Sequence, residues 1–294
     1  MYISLKLNKL LALPFLALAV ILICLISLFP KNTPVSVQSE PVRLAVIMYH
    51  GLIDDTSRQN KYFIDPKYFE QDLQYLTQNG YHTILAGELI NHFEKGTPLP
   101  ENPVMLTFDD GYYNNYAFAY PLLKKYNCKA VLSPIGIAAD EAENDTKQNL
   151  FYSQCTWSQL KEMSDSGLVE IQNHTYNLHH TDKGRNGAKN NPDEDINSYK
   201  NMLTADLETF NSRMYAELGI YPNAVVFPFG SFSKDTLQIV KDMNFKAAFD
   251  CEEKWNCLSS KDDLFYIHRF LRPNNMSSKD FFENKVNIGS AFQI

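Results

Sequence analysis

From Val42 onward the chain alternates short apolar runs with segments whose apolar residues recur every three or four positions. Residues 42–48, 82–85, 104–108, 129–135, 169–173, 224–227, 245–249 and 265–270 read as strands, most of them continuously apolar. Between them lie helical patterns. Residues 66–78 place Phe69, Leu73 and Leu76 on one face, and Gly80 ends the segment. Residues 199–218 carry Leu203, Leu207, Phe210, Met214 and Leu218 at helical spacing. Shorter helices are expected at 88–93, 122–126, 156–163 (Thr156 as N-cap), 236–243 and 278–285. The polar stretch 181–197 reads as a surface loop, and no internal repeat is present.

Continuous apolar strands alternating with helices imply a parallel sheet covered by helices. About seven such units in one domain, residues 42–294, favour an α/β fold, an irregular (β/α) barrel of about seven parallel strands, over an open sheet. In such barrels the chemistry sits at the C-terminal ends of the strands.

The first residues change the picture of compartment. Residues 10–29 form a run of twenty without a charge, preceded by Lys6 and Lys9. That length crosses a bilayer, and the flanking lysines put the N-terminus in the cytoplasm. The reading is a cytoplasmic tip and transmembrane anchor over residues 1–29, a polar linker over 30–41, and a domain on the outer side of the cell membrane. Secretion after signal cleavage is the alternative, although the run is long for a signal peptide and no Ala-x-Ala follows it.

Composition is that of an ordinary globular chain, 45% hydrophobic and 21% charged in 294 residues, which excludes a mostly disordered one. The first 34 residues hold three lysines and no acid, so the remaining 260 carry a net charge of −10. Such a body is a poor partner for nucleic acid. Four cysteines lie outside the apolar run: Cys128, Cys155, Cys251 and Cys257. Cys251 and Cys257, six apart, are the pair best placed to meet in an oxidising compartment; four separate buried thiols are the alternative.

Reactive residues cluster at the strand ends. The first strand ends in Tyr49-His50-Gly51, the 104–108 strand in Asp109-Asp110-Gly111, and the 169–173 strand in His174, with His179 and His180 downstream. The 224–227 strand ends in Pro228-Phe229-Gly230, and the last carries His268 and Arg269. Adjacent acids at a strand end can do different jobs, one binding a metal and one remaining a free base. His174 and His179 could not share a metal on a helix, where they would lie about 140° apart, but a turn can bring them together. Two imidazoles and a carboxylate are the donor set of an open catalytic zinc site, and also suit Ni, Co or Fe(II).

In these motifs the chain resembles the NodB-homology polysaccharide deacetylases, carbohydrate esterase family 4, over roughly residues 42–275. Thr107-Phe108-Asp109-Asp110-Gly111 matches the first family motif. His174-Thr175 with His179 matches the second, in the spacing of the poly-N-acetylglucosamine and peptidoglycan deacetylase branch. Phe227-Pro228-Phe229-Gly230 matches part of the third.

The resemblance implies a metal-dependent hydrolase removing N-acetyl groups from N-acetylglucosamine-containing polysaccharide, either peptidoglycan of the cell wall or exopolysaccharide. Asp110, His174 and His179 would hold zinc or another divalent metal. Asp109 would be the general base, His50 the general acid with His268 as runner-up, and Phe229 and Gly230 would serve the oxyanion and substrate. The third motif usually begins with an Arg that orients the base; Val225 and Val226 stand near that place, and Arg269 is the candidate substitute. Asp250 and Trp255 are weak matches to the fourth motif. Tyr49, Tyr112, Tyr113 and Tyr176, near motif ends, are candidates for an aromatic groove. A non-catalytic polysaccharide-binding protein and an O-acetyl xylan-type esterase are the competing functions.

Overall fold

The computed structural model describes residues 41–289. The expected anchor lies outside these residues, as does the linker except for Pro41. No helix among the described residues is long and apolar enough to cross a membrane.

The strands, in chain order, are β1 (Val42–Tyr49), β2 (Gly51–Leu52), β3 (Phe63–Ile64), β4 (His82–Thr83), β5 (Pro103–Asp110), β6 (Ala130–Pro134), β7 (Val169–Ile171), β8 (Ala224–Val226), β9 (Ala247–Phe249), β10 (Asn256–Leu258) and β11 (Phe270–Leu271). The longer helices are α1 (Pro66–Gln78), α2 (Ala86–Lys95), α3 (Tyr120–Tyr126), α4 (Gly136–Ala142), α5 (Trp157–Asp165), α6 (Ile196–Leu218) and α7 (Lys234–Asp242). Parallel pairing runs β11–β1–β5–β6–β7, and separately β8–β9. Single parallel bridges, Asn173 to Val225 and Phe249 to Ile267, join β7 to β8 and β9 to the segment entering β11. These contacts close a ring of seven parallel strands: β1, β5, β6, β7, β8, β9 and β11. It is irregular because two joints are one bridge wide. The start of β1 takes the antiparallel β10 where its end takes β11, and the start of β5 takes β4 where its end takes β6.

Alternation along the strands separates an inner from an outer surface. Leu44, Val46, Met105, Val131, Ala224, Val226, Ala247, Phe249 and Ile267, drawn from strands all round the ring, form one buried cluster. Their neighbours Ala45, Ile47, Val104, Leu106, Ala130 and Leu132 pack instead against Phe69, Leu73 and Leu76 of α1 and Leu160 of α5. Val225 and Ala248 likewise meet Leu203 and Leu207 of α6 and Val240 of α7. The interior is therefore a filled apolar plug. Each large side chain removed from water there contributes roughly 1.5–3 kcal/mol.

Local signals act where the sequence put them. Asp65 caps α1 by accepting from the Lys67 N–H, with Pro66 in the first turn. Thr156 and Gln159 make a capping box on α5. Gly219 ends α6 in a left-handed conformation at φ 76°.

Several expectations need correction. Residues 265–270 give only the bridge at Ile267 and the two-residue β11. Residues 278–285 are one α-helical turn, Ser278–Asp280, followed by a π-helix, Phe281–Lys285. The antiparallel β10 and helix α4 had no clear periodic signal, because β10 is the three-residue Asn-Cys-Leu and α4 is small and mixed. No disulfide joins Cys251 and Cys257: all four cysteines of the described residues are free. Cys257 is exposed on β10, opposite Arg43, whereas Cys251 lies beside Met48 and Arg269.

Candidate active site

Inward parity turns polar at the C-terminal end of the barrel. Above Leu44 and Val46 on β1 come Met48 and His50; above Met105 on β5 come Thr107 and Asp109; above Ile267 comes Arg269. These ends surround a cavity of about 460 Å³, lined by His50, Asp109, Asp110, His174, His179 and Phe229 among others.

Asp109 and Arg269 form a buried two-point pair. Arg269 donates from Nη1 to Oδ1 at 2.7 Å and from Nη2 to Oδ2 at 2.8 Å. The guanidinium also donates from Nε to the Asp250 carbonyl and from Nη1 to the Thr107 hydroxyl. Burial pushes the Asp109 carboxyl up, but the charges of Arg269 and His174 and the Arg269 hydrogen bonds outweigh it, leaving the group below its ordinary range. It is ionised and fixed in direction, as a base must be.

Asp110 follows directly, and in a continuing strand it would face the helices. Its φ of 70°, followed by Gly111 at 78°, turns the chain so that both carboxylates line one cavity. Thr175, also left-handed at φ 68°, begins the turn through which His179 returns to His174. The two imidazoles present Nε2 to Asp110 Oδ1 at 3.5 and 3.3 Å. His174 Nδ1 donates to the Val226 carbonyl at 2.7 Å, so Nε2 is the ligating nitrogen whenever the ring is neutral. Burial lowers the His174 pKa, but Asp110, Asp109 and that carbonyl raise it more, so without a metal the ring favours the protonated form.

The donor atoms of Asp110, His174 and His179 lie within 4.8 Å of one another. Asp110 Oδ1 is buried without a hydrogen-bond partner, a costly arrangement unless something positive sits there. Burial raises the Asp110 pKa, and the neighbouring His174 imidazole, with those of His50 and His179, drives it far below the usual carboxylate range. Burial and His174 lower His179, favouring its neutral, ligating form. The residues fit a divalent metal of the zinc type.

His50 faces the same cavity. Asn115 Nδ2 donates to its backbone carbonyl at 2.7 Å, and its ring lies 4.8 Å from that of Tyr62. Burial lowers its pKa, while Asp109 and Asp110 act in the opposite sense. Phe229 is left-handed at φ 58°, 47% exposed, with its ring 4.6 Å from that of His179.

Other candidates lie elsewhere. The Gly230 N–H is committed to the Phe227 carbonyl, and its hydrogen side chain lets the turn pass Cys251, whose backbone N would sit 2.6 Å from an added Cβ. His268 is held by Asp250, Nδ1 to Oδ2 at 2.9 Å, and faces a separate groove with Trp255. Trp255 donates to the Val286 carbonyl. Tyr49 has outward parity; its hydroxyl donates to buried Asp72 at 3.0 Å among Phe69 and Phe108. Tyr176 donates to Asp140, and of the four groove tyrosines only Tyr112 lines the cavity. The remaining rim comes from Tyr62, Phe63, Glu253 and Leu271, which sequence reading missed because no motif or periodicity marks them.

The sequence model of the polysaccharide deacetylase family matches residues 96–248, just over half of the chain. The poly-beta-1,6-N-acetyl-D-glucosamine N-deacetylase of Escherichia coli K12 is 25% identical over 269 residues, covering 82% of this chain; the chain spans only 38% of that relative's length. The Staphylococcus aureus MSSA476 protein of the same name is 25% identical over 266 residues, covering 90% of this chain and 85% of its own. In three dimensions the chain is similar to a de-N-acetylase from Aggregatibacter actinomycetemcomitans, at TM-score 0.67 and 29% identity, covering 81% of this chain and 96% of that one. With matching motifs, fold and site geometry, the chain belongs to the polysaccharide deacetylase family.

Proposed function

We propose that this chain removes N-acetyl groups from N-acetylglucosamine-containing polysaccharide with the help of a divalent metal. The observation that carries the reading is the pairing, in one cavity, of an ionised carboxylate locked by Arg269 with a separate carboxylate–imidazole–imidazole set. The activities for which the bacterial relatives are named favour poly-β-1,6-N-acetylglucosamine over peptidoglycan as the polymer.

Amide hydrolysis needs an activated water, a stabilised oxyanion and a proton for the leaving amine. A divalent metal on Asp110, His174 and His179 would lower the pKa of water and polarise the acetyl carbonyl. Asp109 takes the proton from the attacking water. Arg269 keeps Asp109 ionised until then and fixes both its oxygens. His50, facing the same cavity, would give a proton to the departing nitrogen once it is protonated; burial lowers its pKa, and Asp109 and Asp110 only partly offset that. The backbone N–H of Phe229 helps hold the oxyanion. Tyr62, Phe63 and Tyr112 offer apolar ring faces to the sugar. With residues 1–29 as an anchor, the domain would meet its polymer at the outer face of the cell membrane.

Lack of the usual third-motif Arg was the one feature favouring a non-catalytic binding protein, and the Arg269–Asp109 pair removes its force. An O-acetyl esterase would depend less on His50, since an alkoxide leaving group needs less protonation help than an amine. The test offers β-1,6-linked N-acetylglucosamine oligomers, peptidoglycan fragments and acetylated xylan in parallel and measures released acetate. Release from the N-acetylated polymers that falls steeply in His50→Ala is expected; release from xylan alone would overturn the reading.

A further inference from the structure

The left-handed turn that points Asp110 at the imidazoles is clamped by a residue outside every motif. A non-glycine residue in this conformation costs roughly 1–2 kcal/mol, so neighbours must hold it there. In a left-handed pair such as Asp110–Gly111, successive carbonyls point to the same side. Gln154 lies opposite, on a segment that bridges antiparallel to Tyr112. With its amide nitrogen facing the turn, the orientation that satisfies both ends of the amide, Gln154 Nε2 donates to the Asp110 carbonyl at 2.9 Å and the Gly111 carbonyl at 3.0 Å.

Backbone bonds fix Gln154 itself. Cys155 N–H donates to the Gly111 carbonyl at 2.8 Å, and Tyr113 N–H to the Ser153 carbonyl at 2.8 Å. On the other side Ile135 N–H reaches the Asp110 carbonyl at 3.3 Å. The amide of Gln154 thus bridges two consecutive carbonyls of the turn with its two N–H groups.

We propose that Gln154 is a positioning residue for the metal: by holding the Asp110–Gly111 turn left-handed it aims the Asp110 carboxylate into the site. The inference rests on the reading of Asp110 as a metal ligand. Without the clamp the turn relaxes toward extended backbone, and the carboxylate swings away from His174 and His179.

The test uses the full chain, stripped of metal, in two near-isosteric variants. Gln154→Glu puts acceptors against the two carbonyls, and Gln154→Met removes the donors without a charge. Co²⁺ is titrated in and followed by its visible ligand-field absorption, with the melting temperature of each metal-free protein beside it. Expected is a Co²⁺ Kd weakened roughly tenfold or more in both, with altered bands, in proteins that are still folded. If Gln154→Glu does not fold, Gln154→Met decides. A Kd within about twofold of the parent in a folded variant overturns the proposal. Asp110→Asn separates the two readings: if it leaves Co²⁺ binding intact the ligand assignment fails, and if it abolishes binding while the Gln154 variants do not, only this inference fails.

Discussion

Arg269 grips Asp109 with both terminal nitrogens, at 2.7 and 2.8 Å, across 160 residues of sequence, with both side chains almost wholly buried. The pair comes from two neighbours of β1, strand β5 and the segment entering β11, whose inward-facing residues meet over the apolar plug. An ionised carboxylate of fixed direction is thereby supplied without the third-motif arginine.

Replacing Arg269 therefore tests both stability and chemistry. Arg269→Gln leaves a buried carboxylate unpaired and should destabilise the fold by roughly 3–5 kcal/mol, read by urea denaturation. Arg269→Lys keeps a charge but cannot hold two oxygens in one plane. It should lower kcat by about tenfold to a hundredfold with little change in KM, because the base, not substrate binding, is disturbed.

Metal content separates the ligand set from its surroundings. Asp110→Asn, His174→Ala and His179→Ala should each reduce bound zinc after dialysis to a small fraction of one per chain. His268→Ala should leave it unchanged, because His268 faces another groove. Elemental analysis of the purified proteins reads the difference directly.

Tyr49 is a packing residue by position, and its removal should show that. Its hydroxyl and Arg272 share the buried carboxylate of Asp72, Arg272 Nε donating at 2.8 Å and Nη2 at 3.1 Å. Tyr49→Phe should cost about 1 kcal/mol of stability and leave kcat within a factor of about two. Arg272→Met, which strands Asp72, should cost roughly 3–5 kcal/mol.

How much of this was legible follows the physics of each signal. The strands of the ring could be read because each is a run of apolar residues between turns, and the strand ends Asp109, His174 and His50 followed from the barrel rule. The antiparallel β10 could not be read, because three residues carry no periodicity. Parity along β1 would have moved Tyr49 out of the site, since Met48 and His50 face inward. The aromatic rim at Tyr62 and Phe63 depends on how β3 lies beside β2, a tertiary contact with no local signature. The left-handed backbone of Asp110 was equally hidden: Asp-Asp-Gly announces a turn, and it was the family resemblance, not the turn, that implied both acids serve one site.

Asp140 gives a pH prediction with a definite sign. It accepts from Trp157 Nε1 at 2.7 Å, Arg213 Nε at 2.9 Å and the Tyr176 hydroxyl at 2.9 Å. Burial raises its pKa, and these partners lower it further than burial raises it, so the folded-state value lies below the ordinary 3.8. A depressed acid contributes stability that is complete above its unfolded pKa and is lost as pH falls through the folded one. Asp140→Asn should therefore melt lower than the parent at pH 7, and the gap should narrow only below about pH 4. A gap unchanged down to pH 2 would contradict the assignment.

In the proposed reaction one cavity holds a metal set and a separate base that act together on an N-acetyl group. Acetate release from β-1,6-linked N-acetylglucosamine oligomers tests it most directly, using the full chain stripped of metal, then reloaded with Zn²⁺, beside Asp109→Asn. Release is expected from the reloaded parent and not from the metal-free one, and it should fall by about a hundredfold or more in the zinc-loaded mutant. Equal release by the metal-free parent, or by Asp109→Asn, would contradict it.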